Sequence, residues 1–169
     1  MAAMLGREQP LAFPLVLEDY RAMVHVGRQL RVLLAEDNPT DADIVVEALH
    51  DVQPGAKVAV FEDGRSVRDH LLDSARGPAS GRPDLILLDL NLPGVSGRQL
   101  LTLIKTDPTL QTIPVVVLSS SADPLDVSFA YRNCANCYVT KPADLDGFLE
   151  AVRKTATLWL DVAELPRPA

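Results

Sequence analysis

Five short apolar runs, each followed by a stretch with helical spacing, constrain this chain more than any other feature. The runs are Val32-Leu33-Leu34-Ala35, Lys57–Phe61 (KVAVF), Leu85–Leu88 (LILL), Val115–Leu118 (VVVL) and Cys137-Tyr138-Val139. Short apolar runs of this kind suit strands covered on both faces, as in a parallel sheet. The segments between them carry stripes at i, i+3, i+4, i+7: Val45, Ala48, Leu49 and Val52; Gly97, Leu100, Leu101 and Ile104; Val127, Ala130, Tyr131 and Cys134; Leu145, Phe148, Leu149 and Val152. Arg65 to Ala75 is a weaker helix with Val67 and Leu71 on its face. One stripe per helix packs one face and wets the other. Asn38-Pro39 and Asp123-Pro124 each place a capping side chain before a proline at the first helical position, and Ser96 and Asp144 read as further caps. Strand then helix, five times over, builds right-handed βα units. The expected fold is α/β: a doubly wound, five-stranded parallel sheet with helices on both faces.

The 169 residues fit one domain. Residues 1–28 break the pattern and are expected to form a mobile tail, with the domain proper over 29–165 and its last helix running to about 164. Within the tail, LAFPLVL (Leu11–Leu17) is short, is interrupted by Pro14 and has acids after it, which does not suit a signal peptide. The Gly77–Pro83 stretch reads as a surface loop. A net charge of −7 argues against a nucleic-acid partner. No apolar stretch approaches the roughly 20 residues that span a bilayer. Two cysteines are too few for a disulfide scaffold, and a cytoplasmic location is expected.

In a sheet of this kind ligands bind outside the carboxyl ends of the strands, at the switch point. The first strand ends in Glu36-Asp37, the third in Asp89, the fourth in Ser119 and the fifth in Thr140-Lys141-Pro142. Three carboxylates, a hydroxyl and an ammonium are therefore expected on one rim. Carboxylates crowded together repel unless neutralised. An all-oxygen set suits a hard cation, best Mg²⁺.

These residues, in the stretches VLLAEDN, LILLDLNLPGVSG, PVVVLSS and YVTKP, resemble the receiver domains of two-component response regulators over about residues 30 to 160. Asp89 precedes Ser119 by 30 positions and Lys141 by 52, the separations of that family. The resemblance implies a flavodoxin-like sheet of strand order 2-1-3-4-5. It implies Asp89 as phosphoacceptor, with Glu36, Asp37, Asp89 and the backbone carbonyl of Asn91 as Mg²⁺ ligands. Ser119 matches the switch hydroxyl, Lys141 the lysine that contacts the phosphoryl group, and Tyr138 the aromatic switch residue. The Lys141–Pro142 bond is expected to be cis. The implied donor is a phosphohistidine on a sensor histidine kinase. The protein would assist its own phosphorylation and slowly lose the group, with Asn91 and Ser121 beside the water's approach, rather than turn over outside substrates.

Three other readings compete. A haloacid-dehalogenase-like phosphatase needs a second Asp two residues after its nucleophile, where this chain has Asn91. A pseudo-receiver would keep the fold without taking phosphate, but all five site residues are present. The C-x-x-C at Cys134 and Cys137 closes a helix rather than opening one and finds no further clustered ligands, so buried thiols are the default. Output is expected to pass through protein contacts. Trp159, Leu160, Val162 and Leu165 in the C-terminal stretch form a candidate interface. With NCYVTKPADLDGFLE before it, this ending resembles single-domain regulators paired with bacterial phytochrome-type kinases, which implies a homodimer.

Overall fold

Parallel strands need long crossovers, and the helical segments supply them. The computed structural model describes residues 29–76 and 81–166. Their order is β1 (Arg31–Ala35), α1 (Pro39–Val52), β2 (Lys57–Phe61), α2 (Gly64–Arg76), β3 (Leu85–Leu88), α3 (Gly97–Thr106), β4 (Val115–Ser119), α4 (Pro124–Arg132), β5 (Cys137–Thr140) and α5 (Leu145–Ala156), then a π-helical turn over Thr157–Val162. All pairings are parallel, in the order β2-β1-β3-β4-β5. The expectations for residues 1–28 and for most of the 77–83 loop lie outside the described residues.

Alternation along the strands splits the core in two. Leu33, Ile86, Leu88, Val115 and Val117 face Val67 and Leu71 of α2 and Leu100, Leu101 and Ile104 of α3. Val32, Leu34, Leu85, Leu87, Val116 and Leu118 face Val45 and Leu49 of α1 and Phe148 and Val152 of α5. Each such side chain, fully buried, contributes about 1.5–3 kcal/mol of transfer free energy. The central strands β1, β3 and β4 are buried on both faces, as their composition demands. The edge strands are not: β2 and β5 are partly exposed, because each has a neighbour on one side only.

The helix starts follow their caps. Asn38 accepts from the amides of Thr40 and Asp41, Asp123 from Leu125, and Asp144 from Gly147. Ser96 and Gln99 close a reciprocal capping box on α3. Two stripes are narrower than their spacing suggests. On α4 only Ala130 is fully buried, with Phe129 packed beside it, while Tyr131 and Cys134 are exposed. The helix has ended before Cys134, whose φ is +62°. Leu145 on α5 is also exposed, since it lies in the first turn, beyond the sheet's edge.

The C-terminal helix continues past Ala156 without a break, but its last turn, Thr157–Val162, widens, with the Ala163 amide bonding back to Leu158 O at 2.8 Å. Thr155 and Thr157 each donate a hydroxyl to the carbonyl four residues earlier, both at 2.8 Å, a pattern that loosens and bends helices. The wider turn drives Leu160 into the core and lays Trp159 and Leu165 against it. Leu160 is therefore a core residue rather than an interface residue. Val162, and Leu158 one turn before it, are left facing outward.

Two glycines hold the loop after β3 close to the sheet. The Gly97 amide donates to Leu90 O (3.1 Å) and the Gly64 amide to Pro93 O (3.1 Å). A Cβ at Gly97 would strike the backbone of Asp89 and Leu90, and one at Gly64 the backbone of Val95. Gly97→Ala is expected to destabilise the fold by about 1–3 kcal/mol through overpacking against immovable main chain. Urea unfolding of the variant beside the parent chain checks this.

Candidate functional site

The strand order reverses between β1 and β3, so the carboxyl ends of these two strands flank an open crevice. Asp89 follows β3, its amide bonded to Ala35 O at 2.9 Å, which seats it beside the end of β1. Glu36 and Asp37 follow β1 directly, and the Glu36 amide bonds to Phe61 O at 2.9 Å. Two parallel ladders thus deliver three acids to one point. Each of Glu36, Asp37 and Asp89 offers a carboxylate oxygen, and these lie within 4.8 Å of one another. Glu36 and Asp89 are buried, at 1% and 5% exposure, while Asp37 is exposed.

Lys141 reaches the same point from the end of β5. Its amide continues the β4–β5 ladder by bonding to Ser119 O at 2.8 Å. Its Nζ donates to Glu36 Oε2 (2.5 Å), Asp89 Oδ2 (2.9 Å) and Asp41 Oδ2 (2.9 Å). It also lies 6.0 Å from the centre of the Phe148 ring, an apolar wall beneath the ammonium. The remaining carboxylate oxygens are met by main chain: Asn38 N donates to Glu36 Oε1 (3.1 Å) and Asn91 N to Asp89 Oδ1 (2.9 Å). Ser119 is fully buried at the end of β4, and its Oγ accepts from the Ser121 amide at 3.2 Å.

The electrostatics follow from this crowding. Burial pushes the Glu36 carboxyl above its ordinary range, and the Lys141 ammonium offsets only part of that. Burial also works against the charge on Lys141, but its hydrogen bonds to Glu36, Asp89 and Asp41 outweigh it and hold the ammonium well above its usual pKa. Three carboxylates bond to one ammonium and Asp37 adds a fourth acid beside them, and the excess negative charge with all-oxygen donors fits a hard divalent cation.

Glu36, Asp37, Asp89, Ser119 and Lys141 therefore converge as their sequence positions imply. Asn91 sits in the loop beside Asp89. One expectation is corrected. No peptide bond among the described residues is cis, so Lys141–Pro142 is trans. Trans is the lower-energy isomer even before proline, and the ladder bond and the seated Nζ are both made with it. Tyr138 packs partly buried against the core, and its hydroxyl donates to Ser121 O at 2.8 Å. Asp41 was missed altogether. Its signal was spacing, four residues after Asp37 in the first turn of α1, but an acid there also reads as an ordinary helix-start residue.

The C-x-x-C turn is structural here. Both cysteines are free, and burial pushes the Cys137 thiol up. Asn136 between them donates its amide to Val115 O and accepts from Val115 N and Lys105 Nζ, tying β5 to the start of β4. No helix among the described residues is long and apolar enough to cross a membrane.

A buried aspartate at a strand end, an acid pair beside it and a lysine from the last strand define a class, and the comparisons agree. The family model of the response regulator receiver domain matches residues 32–153, so the chain belongs to that family. Response regulator Rcp1 of Synechocystis sp. is 38% identical over 135 residues, covering 80% of this chain and 92% of that protein. The crystal structure of the phosphorylated cyanobacterial phytochrome response regulator RcpA matches with a TM-score of 0.76 at 40% identity, covering 82% of this chain and 99% of that one. The Mn²⁺-bound form of Rcp1 matches with a TM-score of 0.75 at 36% identity, over 81% and 99% of the two chains.

Lys141→Met should cost about 3–5 kcal/mol at neutral pH, because it leaves buried carboxylates without their shared cation. The sign with pH is fixed by Glu36. An acid whose folded pKa is raised binds more protons folded than unfolded, so stability falls as pH climbs through that window. Loss of Lys141 removes what lowers the Glu36 pKa and so raises it further, and the deficit of the variant should therefore shrink on lowering the pH from 7.5 to 5. Urea unfolding at both values in excess chelator measures it.

Proposed function

We propose that this protein is a phosphorelay response regulator that accepts a phosphoryl group on Asp89 from a sensor histidine kinase. One observation carries the reading: a single lysine ammonium bonded at once to Asp89 and Glu36, at the switch point where three acid oxygens meet. An Asp89 carboxylate oxygen supplies the lone pair that forms the bond to phosphorus. The phosphorus–nitrogen bond of the donor phosphohistidine breaks, and the imidazole leaves with that bond's electrons and takes a proton from water. Asn91 N and Lys141 Nζ hold the two Asp89 oxygens in place before transfer. Lys141 then gives an equatorial phosphoryl oxygen a charge-assisted partner. A Mg²⁺ ion held by Glu36, Asp37, Asp89 and the Asn91 carbonyl would neutralise charge shared between the carboxylate and the phosphoryl group.

The signal leaves through the loop after β4. Ser119 Oγ donates to the new phosphoryl oxygens and draws its loop toward Asp89. Ser121 shares that loop, and its carbonyl holds the Tyr138 hydroxyl, so the pull reaches β5 through a hydrogen bond already made. This is a charge change biasing a two-state element. Asn91 and Ser121 border the path of hydrolytic water and set the lifetime of the phosphorylated state. The match to a phosphorylated phytochrome response regulator supports a phytochrome-type kinase as the donor.

A second copy of this chain is the proposed partner at the C-terminal turn. Leu158 and Val162 are about half exposed there, and the Trp159 indole N–H between them is buried without an acceptor. A homodimer would cover the apolar pair.

Two measurements test these readings. With phosphoramidate and Mg²⁺, intact mass should show one added phosphate that is absent in Asp89→Asn; no addition to the parent chain marks a pseudo-receiver. Light scattering at micromolar concentration should give twice the chain mass, falling to one chain in Val162→Glu. A monomer both with and without a phosphate mimic defeats the dimer.

A further inference from the structure

Resting on the reading of Asp89 as phosphoacceptor, we propose that Asp41 is a positioning residue whose carboxylate aims the Lys141 ammonium at the incoming phosphoryl group. An ammonium has three donors and no acceptor. Those of Lys141 go to Glu36 Oε2 (2.5 Å), Asp41 Oδ2 (2.9 Å) and Asp89 Oδ2 (2.9 Å). Glu36 and Asp41 come from the end of β1 and the first turn of α1, and neither bond involves the reacting carboxylate. With two donors tied there, the third points where phosphorus will arrive.

The hold is built from the backbone up. Asn38 caps α1 by accepting from Thr40 N (2.9 Å) and Asp41 N (3.3 Å), which fixes the main chain that carries the Asp41 side chain. Asn38 N in turn donates to Glu36 Oε1, so one short turn orients both carboxylates that grip the lysine. Lys141 lies 100 residues further along and has a long stem that loses about 2 kcal/mol of rotamer entropy when fixed. Two fixed acceptors meet that loss before transfer begins rather than during it. Asp41 is not one of the three clustered acids, and the contact it makes is with the lysine.

The experiment compares the parent chain with Asp41→Ala and Asp41→Asn, using phosphoramidate as donor over a range of Mg²⁺ concentrations. Phosphate uptake is followed by intact mass, and the Lys141 ammonium by ¹H–¹⁵N NMR of lysine side chains. Asp41→Ala should slow uptake on the order of 10-fold through misplacement of the ammonium. Its Lys141 signal should be lost to exchange with water. Asp41→Asn keeps an acceptor oxygen and should recover most of the rate and the signal. The Mg²⁺ concentration for half-maximal uptake should be the same in all three.

Parent-like uptake and signal in Asp41→Ala would reduce Asp41 to a helix-start acid and overturn the proposal. Equal slowing in Asp41→Asn and Asp41→Ala would make charge rather than aim the cause, and would overturn it as well. A parent chain that takes no phosphate sinks the phosphoacceptor reading instead. In that event the ammonium signal alone still decides whether Asp41 holds Lys141.

Discussion

One ammonium holds this rim together. Glu36 and Asp89 are buried acids from neighbouring strands, and without Lys141 each would face the other's charge in a poorly solvated crevice. A buried charge cluster of this kind is tolerated only when its hydrogen-bonding capacity is met. Here main-chain amides at Asn38 and Asn91 take the oxygens that Lys141 does not. The site is thus an extension of the sheet's own bonding. β1 and β3 place the acids, the β4–β5 ladder places the lysine, and the cap of α1 trims the geometry.

A run of hydrogen bonds leaves the rim along the same ladder. Lys141 N bonds to Ser119 O, Ser119 Oγ accepts from Ser121 N, and Ser121 O accepts from Tyr138 Oη. The Tyr138 amide, meanwhile, donates to Tyr131 Oη of α4 at 3.3 Å. In the proposed switch, a shift at the end of β4 would act on β5 and on α4 through these existing bonds. Coupling of this sort works because packed elements change between discrete arrangements.

Much of this was legible because the signals were local. Uninterrupted apolar runs name buried strands, capping residues before proline name helix starts, and the strand ends then name Glu36, Asp37, Asp89, Ser119 and Lys141 together. What stayed hidden depends on partners distant in the chain. Asp41 is indistinguishable from a dipole-favouring acid until a lysine 100 residues away is seen on it. The exposure of Tyr131 and Leu145 depends on where a helix overhangs the sheet, which periodicity does not encode. Gly64 and Gly97 look like ordinary loop and helix-start residues until the backbone packed against them is known. The cis proline bond was an expectation carried by resemblance alone, and the bond is trans here.

The π-helical turn at Thr157–Val162 has an evolutionary reading. A widened turn holds one residue more than the helix it interrupts, so everything after it is rotated relative to α5. A relative one residue shorter here would keep nearly the same C-terminal text and yet turn different side chains toward its neighbours. Gain or loss of a single codon in that stretch would therefore redirect the side chains it presents while leaving the rest of the helix where it is.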